Sequence, residues 1–286
     1  MIDWPLTFKC NNNCLSCIYN MEIVEKLRVG NPSEESIKNA IDRVVPGDTL
    51  GLTGGEPTIR EDFLKFLKYA YRRDPEMNVF IVSNGRMFSY TDFVKKVVSV
   101  GLKNLKIGIA IYGHTARMHD ATTRVPGSFK QTSAGIENLS KNGIPVELRI
   151  IVSKVNYKDL ENIAKHITEK FSGIYRTVFI NMKYTGNAYI NRKSLFIRYK
   201  DVVPYAQKAA DILTKNKIDV RLFHFPLCVT DKKYWDMAKG VTKQESELMF
   251  IKTCEECNVK DKCPRIWKSY WVLAGDSEFK AIRAGK

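Results

Sequence analysis

The residues in this chain best suited to chemistry are its seven cysteines, and their spacing divides them into two groups. Cys10, Cys14 and Cys17 stand together near the start; Cys228, Cys254, Cys257 and Cys263 follow only after a long stretch without any. An odd count does not complete a disulfide framework, whereas tight groups of thiolates suit metal. Three soft thiolates on one short loop can hold an iron–sulfur cube and leave one iron open to a ligand. Half of a zinc site is the alternative reading of that loop. The later four thiolates are equally a tetrahedral zinc set.

A second motif is Gly54-Gly55-Glu56-Pro57. Paired glycines let the backbone approach a ligand closely and adopt angles closed to other residues. Glu56, at a strand end, can accept charge-assisted hydrogen bonds from an ammonium group. Ser83-Asn84-Gly85 ends a later strand as a small polar turn, either lining the same pocket or serving only as a turn. Arg149 lies in an otherwise apolar strand, where a guanidinium needs a ligand or an acidic partner such as Glu147. Tyr112, His114, His119 and Asp120 follow another strand and are candidates for a substrate pocket. Nothing here is required to be an acid–base catalyst.

These motifs must be held by regular elements. Leu6 to Phe8 reads as a short strand, and Ser33 with Glu34 and Glu35 opens a helix over 33–45. Strands at 49–53, 79–82, 106–111, 146–152 and 175–181 alternate with helices at 61–71, about 90–100, 128–142 and 157–170. Strands apolar on both faces and interleaved with helices call for a parallel sheet with helices outside. The fold expected is α/β, a partial (β/α)6 barrel with functional loops at the C-terminal strand ends. A helix near 201–215 leads to a strand at 218–223, which is read as opening the next unit. The expected division is residues 1–216 for the barrel and 217–286 for a small cysteine-rich unit with a short helical stretch near 241–251.

Composition is that of a globular protein, with 44% apolar and 27% charged residues. No apolar run is long enough to cross a bilayer, and the start lacks a signal-peptide pattern. A cytoplasmic location is the expectation. The net charge of +15 attracts anions such as nucleic acid, acidic membrane or acidic peptide. It is spread along the chain, however, and groups such as Lys65, Lys68, Arg72 and Arg73 fit the wet face of an ordinary helix.

Cys-x3-Cys-x2-Cys directly after a first strand, followed by Gly-Gly-Glu-Pro after a second, resembles the radical S-adenosylmethionine (SAM) superfamily over roughly residues 4–200. The resemblance implies a [4Fe–4S] cluster on Cys10, Cys14 and Cys17, whose open iron binds SAM. It also implies SAM contacts from Gly54, Gly55 and Glu56, with Ser83, Asn84 and the Arg149 guanidinium (toward the SAM carboxylate) as further candidates. Ser16 departs from the aromatic residue that many members carry there, which leaves adenine to Ile18 or Tyr19. The late Cys-x2-Cys-x5-Cys with Cys228 resembles SPASM and twitch extensions, implying a second [4Fe–4S] cluster. The first segment usual in SPASM domains is missing, so the shorter, twitch-like form fits better.

The activity implied is reductive SAM cleavage to a 5′-deoxyadenosyl radical that abstracts hydrogen from substrate. Enzymes with these extensions often modify ribosomally made peptides by cross-link, thioether or epimerisation. His119-Asp120, Gly127-Ser128-Phe129 and Leu227-Cys228 look similar to maturases of the His-Xaa-Ser peptide system. The expected partners are a precursor peptide, its leader possibly acidic, and an external electron donor such as flavodoxin or ferredoxin. No leader-binding domain is expected ahead of the barrel, and a leader is then expected to bind elsewhere or through another protein. Membrane and nucleic acid are not expected partners. A nucleotide or sugar substrate is the alternative, and a zinc protein that binds nucleic acid is a third reading.

Overall fold

The computed structural model describes residues 2–27, 30–240 and 245–283. Its elements run β1 (Ile2–Thr7), α1 (Met21–Lys26), α2 (Glu34–Asp42), β2 (Thr49–Gly54), α3 (Phe63–Arg73), β3 (Asn78–Ser83) and α4 (Thr91–Val98). Then come β4 (Asn104–Ala110), α5 (Ala116–Thr123), α6 (Ser128–Lys141), β5 (Val146–Val152), α7 (Leu160–Lys170) and β6 (Ile174–Asn181). The chain continues through α8 (Gly186–Ile190), α9 (Arg192–Leu195), α10 (Tyr199–Lys215) and β7 (Asp219–Phe223). A hairpin of β8 (Leu248–Met249) and β9 (Ile266–Trp267) precedes α11 (Lys268–Ala274).

β1 to β7 form one sheet in sequence order, and every neighbouring pair is parallel. Sequential parallel strands joined by helices are the arrangement of a partial barrel. Period-two burial sets the faces. In β5, Val146, Leu148, Ile150 and Val152 are wholly buried in the core shared with Ile136 and Leu139 of α6 and Ile163 and Ile167 of α7. Glu147 and Arg149 alternate with them and so lie on the opposite face. Pro5 interrupts β1 without harm because β1 is an edge strand, where a missing N–H need not leave a ladder bond unmade. Ser33 caps α2 as its composition predicts, its hydroxyl accepting from the Ser36 amide at 3.1 Å.

The structure differs from the sequence reading in three places. The strand expected to open the C-terminal unit is β7, hydrogen-bonded in parallel to β6 from Arg176↔Asp219 to Ile180↔Phe223, so the sheet has seven strands. Val220 and Leu222 provide its buried apolar side. Helices α1, α5, α8, α9 and α11 appear where no helix was expected. Of the stretch at 241–251, residues 241–244 lie outside the described residues; 245–247 form a single 3₁₀ turn and 248–249 are β8.

Candidate functional site

The cysteine loop leaves β1 at Thr7 and is held down from several sides. The Asn13 and Leu15 amides donate to the Thr123 and Thr122 carbonyls at the end of α5, at 3.1 and 2.8 Å. From α8, the Ala188 amide donates to the Cys17 carbonyl at 3.0 Å, and the Asn187 side-chain amide donates to the Cys14 carbonyl at 3.2 Å. Asn191 does the same for Leu15 at 3.2 Å. Gly186 permits this close approach, since a β-carbon there would stand 2.4 Å from the Ile18 carbonyl oxygen.

Cys10, Cys14 and Cys17 are unpaired, partly buried thiols close enough to feel one another's charge. Burial, reinforced by these neighbours, pushes Cys10 up to about 11 and Cys14 up to about 12; burial also raises Cys17. Three half-buried thiols that resist ionisation alone are a donor set that a cationic cluster would stabilise as thiolates. Among the described residues, no three His, Cys, Asp or Glu side chains converge tightly enough for a single metal ion. A four-iron cube makes a different demand, because each thiolate bonds its own iron.

The Gly-Gly-Glu segment is built against this loop. The Gly55 amide donates to the Thr7 carbonyl at 2.7 Å and the Glu56 amide to the Lys9 carbonyl at 2.8 Å. Gly54 has φ +131°, and a β-carbon on either glycine would lie 2.2 Å from a backbone oxygen, that of Thr7 for Gly54 and Lys9 for Gly55. Only glycine fits at both positions. Glu56 is completely buried. One carboxylate oxygen accepts from the Thr58 amide and hydroxyl and from the Ser83 hydroxyl at 2.8 Å, the other from the Asn84 amide at 2.6 Å. Burial raises its pKa, and these donors work against that rise. Glu56 thus ties the ends of β2 and β3 together, and Ser83 and Asn84 are its partners.

Arg86, which sequence reasoning passed over, joins the two motifs. Its guanidinium donates to the Asn11 carbonyl, to the Asn12 side chain at 2.8 Å and to Gln131 of α6 at 2.6 Å. The Asn84 side chain adds a 2.6 Å bond to that of Asn11. Its place just after Ser83-Asn84-Gly85 was the available signal. Asn187 and Asn191 lay in a stretch without a motif and carried none.

Other expected residues fall differently. Arg149 is bonded to Glu147 at 2.7 Å and lies over the Phe80 ring, so the acid two residues away supplies the partner its burial needs. Asp120 accepts from the Gly127 and Phe129 amides, both at 2.7 Å, and from the Ser128 hydroxyl, which makes it a cap for α6. His119 is buried and accepts the Tyr112 amide at 3.3 Å; burial holds its pKa down to about 4. His114 lies near His166. Tyr112 does reach the loop, beside Cys14, with its pKa raised by burial and that thiol. Ile18 and Tyr19 are 41% and 36% exposed, whereas Ser16 is buried.

The four later cysteines converge across the distance in sequence. Burial pushes Cys228 up to about 11, and Cys263, Cys254 and Cys257 all lie near enough to contribute. The run from 254 to 263 is a series of tight turns, with Cys254 donating to Ile251, Cys257 to Cys254 and Cys263 to Lys260 through their amides. The Ile282 amide points at the Cys257 sulfur at 3.4 Å. Trp267 locks this region to the sheet by donating to the Asn181 carbonyl at 3.1 Å.

Known proteins place this arrangement. The sequence profile of the Radical SAM superfamily matches residues 4–167, over half of the chain. The AdoMet-dependent heme synthase of Methanosarcina barkeri is 30% identical over 63% of this chain and 50% of its own. The mycofactocin maturase MftC of Mycolicibacterium smegmatis is 27% identical over 57% of this chain and 40% of its own. The chain therefore spans about half the length or less of these curated relatives. Among solved structures, anSMEcpe with bound AdoMet superposes with a TM-score of 0.57 at 17% identity, covering 76% of this chain and 62% of the other. Streptococcus suis SuiB bound to precursor peptide SuiA gives 0.59 at 13% identity, covering 77% and 48%. These likenesses show the shared fold. The chain belongs to the radical SAM superfamily, whose members work with a [4Fe–4S] cluster and SAM.

Proposed function

We propose that Cys10, Cys14 and Cys17 hold the SAM-cleaving [4Fe–4S] cluster and that the enzyme modifies a ribosomally synthesised peptide. The observation that carries the first part is the backbone seam between the two motifs, Gly55 to Thr7 and Glu56 to Lys9, which puts the thiols beside the glycine pair. When bound, the cluster supplies the electron that splits SAM into methionine and a 5′-deoxyadenosyl radical. The chain's own part is positional. Glu56 fixes the β2 and β3 ends, Arg86 and α8 hold the cysteine loop, and Gly54 and Gly55 let the Thr7 and Lys9 backbone close against the end of β2. Cys228, Cys254, Cys257 and Cys263 would carry a second cluster in a twitch-like unit.

A peptide substrate is supported by the maturase MftC among the relatives and by the fold shared with SuiB. A porphyrin is the second reading, favoured by the 30% identity to a heme synthase and the 28% identity to an Fe-coproporphyrin III synthase. Anaerobic reconstitution should load roughly eight irons per chain and yield 5′-deoxyadenosine from SAM with dithionite. Cys14→Ala should abolish that product, while Cys263→Ser should lower the iron content by about half and leave SAM cleavage in place. Undiminished product from Cys14→Ala would refute the assignment. A mass change in a co-expressed precursor peptide, against turnover of an iron porphyrin, separates the substrates.

A further inference from the structure

Resting on that reading, we propose that the Tyr112 hydroxyl, donating to the Cys14 sulfur, raises the reduction potential of the cluster held by Cys10, Cys14 and Cys17. The three sulfurs are served by different kinds of donor. The Asn12 amide donates to the Cys10 sulfur and the Tyr19 amide to the Cys17 sulfur, both at 3.4 Å. Each of those amides lies two residues after its cysteine, so the loop supplies both from its own backbone. Cys14 is served by side chains. The Tyr112 hydroxyl stands within hydrogen-bonding reach of its sulfur, and the Asn12 side chain reaches it more weakly. Tyr112 is far off in sequence, so only the fold brings this donor to the cysteine loop.

The tyrosine is set in place from three directions. Its ring meets that of His119 edge-on, with centroids 5.5 Å apart, and its amide donates to the His119 Nδ1 at 3.3 Å. Its carbonyl accepts from the Asn156 side chain at 3.4 Å. His119 belongs to α5, and the end of the same helix offers the Thr122 and Thr123 carbonyls to the Leu15 and Asn13 amides. Leu15 and Asn13 are the two neighbours of Cys14. Hydroxyl and sulfur are therefore both anchored to α5, which keeps one against the other.

A phenol keeps its proton at neutral pH, so toward a thiolate it acts as a donor. When the cluster is reduced, one electron enters and no atom moves. The added negative charge falls partly on the ligating sulfurs, and a donor aimed at one of them stabilises the reduced state more than the oxidised one. The Cys14 thiol is largely buried, where such a bond is stronger than in water. Tyr112 thus acts through Cys14, easing uptake of the electron that SAM cleavage needs.

The test is Tyr112→Phe, which keeps the ring against His119 and removes only the hydroxyl. The full chain is reconstituted anaerobically, and the EPR signal of the reduced cluster that changes on adding SAM is followed against applied potential. At the parent's midpoint, the ratio of reduced to oxidised cluster in the variant should be about tenfold lower, a shift of about 59 mV downward for a one-electron couple. Iron content, and the Tm of the metal-free protein, should match the parent. An unchanged midpoint would overturn the proposal. Lower iron content or Tm, with the parent's midpoint in the cluster that does form, would make the hydroxyl a packing contact and overturn it as well. If no signal in the parent responds to SAM, the functional reading itself fails and this proposal with it.

Discussion

Gly55→Ala tests the seam between the two motifs. A β-carbon there would lie 2.2 Å from the Lys9 carbonyl oxygen, 2.7 Å from its carbonyl carbon and 2.9 Å from the Phe8 carbonyl oxygen. All three are backbone atoms, so no side chain can turn aside. Carbon contacts settle near roughly 3.5 Å, so the two segments must part by about 1 Å. That motion stretches the 2.8 Å bond from the Glu56 amide to the Lys9 carbonyl past its useful range. A lost bond of about 1 kcal/mol and a forced backbone shift of about 1–3 kcal/mol give a destabilisation of about 2–4 kcal/mol. At about 2 °C per kcal/mol for a chain of this size, Tm should fall by about 4–8 °C. Lys9 precedes Cys10, so the displacement also enters the cysteine loop. The assay is a thermal melt of metal-free protein, followed by iron content after reconstitution. Gly30→Ala, which faces open space, is the control. A Gly55→Ala protein that melts with the parent and takes up full iron would refute the argument, since the two backbones could not then be in contact.

Arg86→Ala removes the charge-assisted bonds to Asn11, Asn12 and Gln131, and should speed iron loss to a chelator by roughly tenfold or more. Arg86→Lys should restore only part, because a single ammonium cannot reproduce the fork; full retention of iron by the alanine variant would count against the clamp. Acid should destabilise the metal-free fold through two buried imidazoles, whose pKa values burial lowers to about 4 for His119 and about 3 for His224. Unfolded, both titrate near about 6.5, so their contribution is complete above that pH and drains away as pH falls toward the folded values. At pH 5 the loss from His119 is about 2 kcal/mol, readable as a lower urea midpoint than at pH 7. His119→Asn should flatten that pH dependence.

Much of the machinery is legible in residue type and local spacing. The cysteines at 10, 14 and 17, the glycine pair with Glu56 and the four later cysteines announce themselves because each group's chemistry needs particular residue types at particular intervals. The strands and longer helices are equally legible, since burial periods of two and 3.6 are written into the order of apolar residues. The short helices α1, α5, α8, α9 and α11 are not, because helices of one or two turns draw their stability from what they pack against.

Pairing and partner choice belong to the tertiary structure. Whether β7 joins the sheet, whether Arg149 meets Glu147 or a ligand, and whether Asp120 caps a helix or lines a pocket all depend on which groups arrive at hydrogen-bonding distance once the chain has closed up. Arg86, Asn187 and Asn191 belong to the same class: ordinary polar residues that acquire a task only because folding sets them against the cysteine loop. Local sequence specifies which donors a segment can offer. Only the fold determines which acceptor each donor faces, because a hydrogen bond or ion pair between distant segments requires both to be fixed in space at once.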